Sequence, residues 1–243
     1  MKPSLSLLIP VHNEEKLLPE AVPRIIDYLD SLDNISNYEL IISDNGSQDN
    51  TKDVMKSLLK KYKKLNFISV RERSAGLGLL NGIKKARMDY IMYYSIDLPF
   101  GLDVISDSVN SLPEKPQIII GSKYHNDSVI NIPVKRFLLS RLYYFLTVIL
   151  FNFKVKDSQG SFLFPGKEAK KISNFLDSKS FFILTQIILY LGLLGIDAKE
   201  IPIKYTYYRK DSKMNLVNDS FVMLKEMLAE YKKYRRIKRQ FER

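Results

Sequence analysis

The 243-residue chain has no cysteine. Disulfides and thiolate metal sites are therefore excluded, and the composition suits a reducing compartment. Histidine is nearly absent too, and both His12 and His125 read as loop residues rather than catalysts. No apolar run matches the ~20 residues of a membrane-spanning helix. Leu142 to Phe153 is too short, and Phe181 to Ile196 contains Thr185, Gln186 and two glycines, so it reads as a core helix. The start of the chain, Met1-Lys2-Pro3-Ser4, lacks the basic head, apolar stretch and cleavage site of a signal peptide. Internal repeats and low-complexity tracts are also missing. Acidic residues are in short supply: 27 against 38 lysines and arginines, a formal net charge of +11. Such an excess favours nucleic acids, anionic membrane surfaces or phosphorylated ligands. With no nucleic-acid-reading motif present, a nucleic-acid partner is not expected.

What is present is an ordinary globular composition, 45% apolar, enough for one domain with an appendage. Strand-like segments Ser6–Pro10, Tyr38–Ile42, Asn66–Val70, Tyr90–Ile96 and Gln117–Gly121 alternate with helical ones. This alternation predicts an α/β fold, a mostly parallel central sheet with helices on both faces. Asn13 is expected to cap the first helix, which runs to about Leu32. After Tyr124 the pattern changes. Residues 133–156 read as a basic-apolar helical segment, Ser161–Phe164 as a strand, Phe182–Leu194 as a helix, and Ala198–Tyr205 as a strand. A long amphipathic helix from Phe221 closes the chain with a crowd of lysines and arginines.

The organising stretch is Tyr90-Ile91-Met92-Tyr93-Tyr94-Ser95-Ile96-Asp97-Leu98-Pro99, an apolar run ending in one carboxylate. In open α/β sheets, ligands bind outside the carboxyl ends of the strands, so Asp97 is presented to whatever binds there. Asp44, after the second strand, begins Asp44-Asn45-Gly46-Ser47-Gln48-Asp49. It can accept hydrogen bonds from a base or ribose, or it can close an Asx turn that starts the next helix.

Here the sequence resembles a known family. Pro10-Val11-His12-Asn13-Glu14-Glu15 and Ser43-Asp44-Asn45-Gly46-Ser47-Gln48-Asp49-Asn50-Thr51 look like the paired signatures of inverting GT-A glycosyltransferases. Gly121-Ser122-Lys123-Tyr124 and Asp157-Ser158-Gln159-Gly160-Ser161-Phe162 resemble the subgroup of dolichyl-phosphate mannose and glucose synthases. The resemblance implies the GT-A fold over a domain of residues 1–215, with 133–156 facing the acceptor and membrane. A basic C-terminal helix of residues 216–243 would follow. It also implies a catalytic set of Asp97, Lys123, Arg136, Ser140, Asp157 and Gln159. Pro10, Val11, Asn13, Glu14, Asp44, Gly46, Ser47, Ser95 and Ile96 would bind the nucleotide, with Asp44 toward the base. Arg209, Ser212 and Lys213 would form a loop closing over the phosphates. Asp97 would hold Mg²⁺ or Mn²⁺ against the donor diphosphate. Two departures stand out: Ser95 replaces the first acid of the family's Asp-x-Asp motif, and Pro99 occupies a place that is often polar.

The expected activity is inverting transfer of a sugar from a UDP- or GDP-sugar to a polyprenyl (dolichyl-type) phosphate. A phosphomonoester has a second pKa of about 6 and so already carries an anionic oxygen at neutral pH. Such an acceptor needs no dedicated general base. A glycan hydroxyl acceptor would need one, and Asp157 is the residue available. That alternative stays open, as does a degenerate nucleotide-binding protein. The mixed basic and apolar residues from Lys135 to Phe145 suit a helix in the headgroup layer, and the basic terminal helix adds attraction to anionic lipid. Both also fit ordinary packed helices with solvated charges. The expected location is peripheral, on the cytoplasmic face of a membrane.

Overall fold

A computed structural model describes residues 2–113, 115–206 and 216–241. Its first half is the expected strand–helix alternation: β1 (Ser4–Val11), α1 (Leu18–Ser31), β2 (Asn37–Asn45), α2 (Thr51–Lys61), β3 (Leu65–Val70), α3 (Ala75–Lys85) and β4 (Tyr90–Tyr93). α4 (Asp103–Asn110) and β5 (Ile118–Gly121) follow, then β6 (Val129–Asn131) and α5 (Val134–Phe151). The remainder is β7 (Ser161–Pro165), α6 (Gly166–Ile172), α7 (Phe182–Leu193), β8 (Ala198–Ile201), β9 (Lys204–Thr206) and α8 (Leu216–Phe241).

Seven strands form one sheet in the order β3-β2-β1-β4-β7-β5-β8, and β6 and β9 form a separate two-stranded ribbon. β1, β2, β3 and β4 are mutually parallel, as are β5 and β8; β7 runs antiparallel between β4 and β5. Side chains alternate across a strand, so β1 feeds both layers. Leu7 and Ile9 enter a core with α1, α2 and α4, while Leu8 enters a second core with α3, α6, α7 and α8. Met223, Met227, Tyr234 and Ile237 of α8 belong to that second core.

Several boundaries differ from the sequence reading. α1 begins at Leu18, and Asn13 lies in the left-handed region at φ 55°, so Asn13 is not an N-cap. The 198–205 stretch divides at Pro202, which donates no backbone hydrogen bond, and its second half pairs with β6 instead of the main sheet. α5 stops at Phe151, where Asn152 takes a left-handed C-cap at φ 53°. α6 and β6 have no counterpart among the expected elements.

Candidate functional site

The site is built on the carboxyl edge of the parallel strands. Val11 at the end of β1 is paired with Asp44 near the end of β2, and Tyr94 N–H, just beyond β4, donates to Leu8 O at 3.0 Å. The loops after β1, β2 and β4 therefore emerge on one rim. β4 ends at Tyr93, and Asp97 sits four residues beyond it.

The first two loops are clasped together. Asn13 donates its backbone N–H to Ser47 Oγ at 2.7 Å, and its Oδ1 accepts from Gln48 N–H at 2.8 Å. Glu14 N–H donates to Thr51 Oγ1 at 2.8 Å, and Asn50 N–H to Glu15 Oε2 at 2.9 Å. Gly46, at φ 74°, lies so close to the chain after β3 that an added Cβ would be 2.9 Å from the Glu72 carbonyl carbon.

Asp44 is fully buried inside this turn. Its Oδ1 accepts from Ser47 N–H at 2.9 Å and its Oδ2 from the Ser69 hydroxyl at 2.7 Å, with the Lys52 ammonium at 3.9 Å. The Asx turn is thus formed, and both oxygens are engaged away from solvent. The Asp44 carboxylate thus builds the turn that was expected to meet the base. Val11 and Ile96 are likewise core side chains, 2% and 4% exposed, so only their backbones can meet a ligand. Pro10 is half-buried at the end of β1.

Asp97 is half-buried, and Ser95 Oγ donates a short hydrogen bond to its Oδ1. The intervening turn is tight: Leu98 has φ 49° and Gly101 φ 67°, and Tyr94 OH donates to Gly101 O at 2.5 Å. Burial, and then the Asp97 charge, push the Tyr93 and Tyr94 phenols above their ordinary range. Among the described residues no group of three or more His, Cys, Asp or Glu side chains could hold a metal by itself. One carboxylate does fit Mg²⁺ or Mn²⁺ held mainly by substrate phosphates and water.

β7 brings the second cluster to the same rim. Ser161 pairs with Gly121 of β5 and donates its hydroxyl to Tyr93 O of β4 at 2.9 Å. Lys123 follows β5. Its ammonium is 2.7 Å from Asp157 Oδ2, its backbone N–H donates to that oxygen at 2.9 Å, and both side chains are nearly buried. The same ammonium lies 6.0 Å from the Phe100 ring centre and 5.5 Å from that of Tyr205. Phe100 belongs to the Asp97 loop, so Lys123 and Asp97 border one region. The sequence reading did not single out Phe100 or Tyr205; aromatics next to Pro99 and in the last strand were the available signal.

Asp157, the residue available as a general base for a hydroxyl acceptor, anchors Lys123. Gln159 is turned toward α7, 3.4 Å from Phe181 O and 3.3 Å from Thr185 Oγ1. α5 meets the cluster through Tyr124, whose ring is 5.8 Å from Phe137 and lies under the Arg141 guanidinium at 5.1 Å. Arg136 and Ser140 share one face of α5 and are half-buried. The opposite face carries Val134, Leu138, Leu142, Phe145 and Ile149, each at least half exposed. Arg209, Ser212 and Lys213 lie outside the described residues.

A mostly parallel α/β sheet with an antiparallel strand beside its central acid defines the GT-A class of nucleotide-sugar-dependent folds. Comparison with known proteins narrows this: the chain belongs to glycosyl transferase family 2, whose pattern matches residues 6–167. It is 26% identical over 211 residues to a dolichyl-phosphate beta-glucosyltransferase of Trichomonas vaginalis, covering 83% of this chain and 65% of that protein. It is 30% identical over 138 residues to a dolichol-phosphate mannosyltransferase of Pyrococcus furiosus, covering 56% of this chain and 38% of that one. The chain thus spans less than two thirds of either relative's length. Among solved structures, glucosyl-3-phosphoglycerate synthase of Mycobacterium tuberculosis with uridine diphosphate superposes with a TM-score of 0.64 at 15% identity, covering 94% of this chain and 80% of that one. A mannosyltransferase of Pyrobaculum calidifontis with GDP-Man and Mn²⁺ gives 0.57 at 14% identity, covering 87% and 59%. At these identities the structures establish the shared fold.

Proposed function

We propose that this protein is an inverting glycosyltransferase moving a sugar from a UDP- or GDP-sugar to a polyprenyl phosphate at a membrane surface. The observation that carries this reading is the two-sided character of α5. Arg136 and Ser140 share the half-buried face, with Ser140 against Tyr124, whereas an apolar stripe from Val134 to Ile149 faces out. A phosphate linked to a long hydrocarbon matches both faces. The names of the Trichomonas and Pyrococcus relatives support the same acceptor class.

The clasped turns at 12–15 and 43–51 form the nucleotide end of the site, and Asp97 the diphosphate end. Mg²⁺ or Mn²⁺ bound there would neutralise charge on the leaving diphosphate. Asp97 would hold it, with Ser95 fixing the carboxylate's orientation through its hydroxyl. Lys123, Arg136 and Ser140 would align the acceptor phosphate for attack on the anomeric carbon, and the proximity of the two groups supplies much of the rate. No protein group need remove a proton from an acceptor that is already anionic. The pairing of Asp157 with Lys123 favours this over a hydroxyl acceptor, because the carboxylate is committed to the lysine.

The proposed location is peripheral, on the cytoplasmic face. No helix among the described residues is long and apolar enough to cross a membrane. Residues 1–215 form the transferase domain in this reading, and 216–243 its basic helical extension.

The test is a thermal-shift screen of nucleotides and nucleotide sugars with and without Mn²⁺, followed by turnover on a short polyprenyl phosphate. Binding raises Tm by mass action. Asp97→Ala is expected to remove the Mn²⁺-dependent part of the shift and to lower turnover by about 10²–10³-fold, the usual effect of losing a charge-stabilising group. An unchanged metal-dependent shift in that variant contradicts the assignment of Asp97.

A further inference from the structure

Glu226, on α8, lies outside the residues matched by the family pattern, yet it collects three hydrogen bonds from one loop. Its Oε1 accepts from Lys179 N–H at 3.0 Å, and its Oε2 from the Ser178 hydroxyl at 2.7 Å and the Ser180 hydroxyl at 2.5 Å. The other side of this loop meets the first turn of α3. Lys179 O accepts from Gly76 N–H at 3.1 Å and from Ser74 Oγ at 3.0 Å. The approach is so close that a Cβ on Gly76 would lie 1.8 Å from Ser178 O.

α3 in turn abuts the end of β2, where the 43–47 segment begins. Ser43 Oγ donates to Gly78 O at 2.9 Å, and a Cβ on Gly78 would lie 1.9 Å from Asn45 Oδ1. Two glycine contacts with no free space thus link the loop at 178–180 to residues 43–45. Close-packed interiors transmit displacement instead of absorbing it. We infer that Glu226 is a positioning residue for the nucleotide site: through the 178–180 loop and α3 it fixes the 43–47 turn in its binding geometry. The inference rests on the reading of that turn as nucleotide-binding.

Calorimetric titration of UDP and GDP with Mn²⁺ into the full chain tests it. Glu226→Ala is expected to raise the nucleotide Kd about 10-fold, the equivalent of about one hydrogen bond to a charged group. Glu226→Gln keeps one oxygen for the two serine hydroxyls and should recover to within about 3-fold of wild type. Ile237→Ala removes core packing at the far end of α8; it should lower Tm while leaving Kd within about 2-fold, since a remote packing loss does not touch the loop. Without ligand, amide hydrogen exchange at Gly76 should accelerate in Glu226→Ala and not in Ile237→Ala. In turnover, the donor KM should rise while the acceptor KM holds. A wild-type protein that binds neither nucleotide overturns the reading of the turn, and this inference with it. A wild type that binds while Glu226→Ala binds equally well, or Ile237→Ala weakens binding as much, overturns the inference alone.

Discussion

α5 and α7 are both strongly apolar helices, and the protein treats them in opposite ways. Every residue of α7 from Phe182 to Leu191 is buried. Of the 18 residues of α5, only Thr147 and Phe151 are. The polar groups of α7 are satisfied internally: Thr185 by Ser158 and Tyr143, Gln186 by Asp177 and Glu230, and Tyr190 by Glu230. α5 has an outer stripe of five large apolar side chains that none of the described residues covers, with Lys135 and Arg141 beside it. Apolar content sets the need for cover, and topology decides where it comes from. α7 lies inside the second core, against α3, α6 and α8, whereas α5 crosses the outside and keeps one side open.

The contrast is broken most forcefully in the core. Phe182→Ala should cost about 3–5 kcal/mol of stability, through lost transfer energy and the cavity left behind. Leu138→Ala, at a position 60% exposed, should cost less than about 0.5 kcal/mol. Urea unfolding of the two variants measures both. Similar losses would show that α5 is covered in solution.

A smaller effect belongs to the membrane. The α5 stripe runs about 22 Å along the helix axis, and its burial in a headgroup layer would release the same hydrophobic energy that α7 gains inside. Phe145→Ser should weaken partitioning onto anionic liposomes about 30-fold, corresponding to about 2 kcal/mol for one large side chain, with little change in Tm. Raising the salt should weaken binding further by screening the basic residues. If wild-type protein stays off liposomes at low salt, the exposed stripe of α5 has another partner.

Much of this was legible in the sequence. The periodicity through Gly121 gave the parallel core, and the expectation that the polar turn after Ile42 and the lone acid Asp97 share one sheet edge agrees with the strand register. The antiparallel placement of β7 was not readable, because the continuous apolar run Phe162–Phe164 carries no directional mark. β6 and β9 are three residues each, too short for a periodic signal. The fate of individual carboxylates was hidden for a different reason: their partners are distant in sequence. Asp44 is closed off by Ser69, Asp157 by Lys123, and Glu226 reaches back to 178–180. Asn13 shows a local rule overridden, since a good capping residue ties two loops together instead.

The mildest expected effect lies at the seam that seals α7. Glu230 of α8 accepts hydrogen bonds from Tyr190 OH, and from Gln186 Nε2 at 2.5 Å, with the Lys233 ammonium at 3.4 Å and Asp177 nearby. Burial raises its pKa more than the surrounding donors and Lys233 lower it. The folded chain therefore holds this proton more tightly than the unfolded chain. Stability from that difference is complete below the unfolded glutamate value of about 4.3 and is lost as pH rises through the elevated folded value. Asp177 runs the other way. Although burial opposes it, the hydrogen bonds from Lys233 and Gln186 leave its pKa lowered, so its contribution is present above the ordinary aspartate range and fades as pH falls. Glu230→Gln removes the first dependence and keeps the second. Urea midpoints measured from pH 4 to 7 should therefore move in favour of the variant as pH rises. A difference that stays constant over that range would mean Glu230 titrates alike in both states, and that the α7–α8 seam is more open to water than its burial indicates.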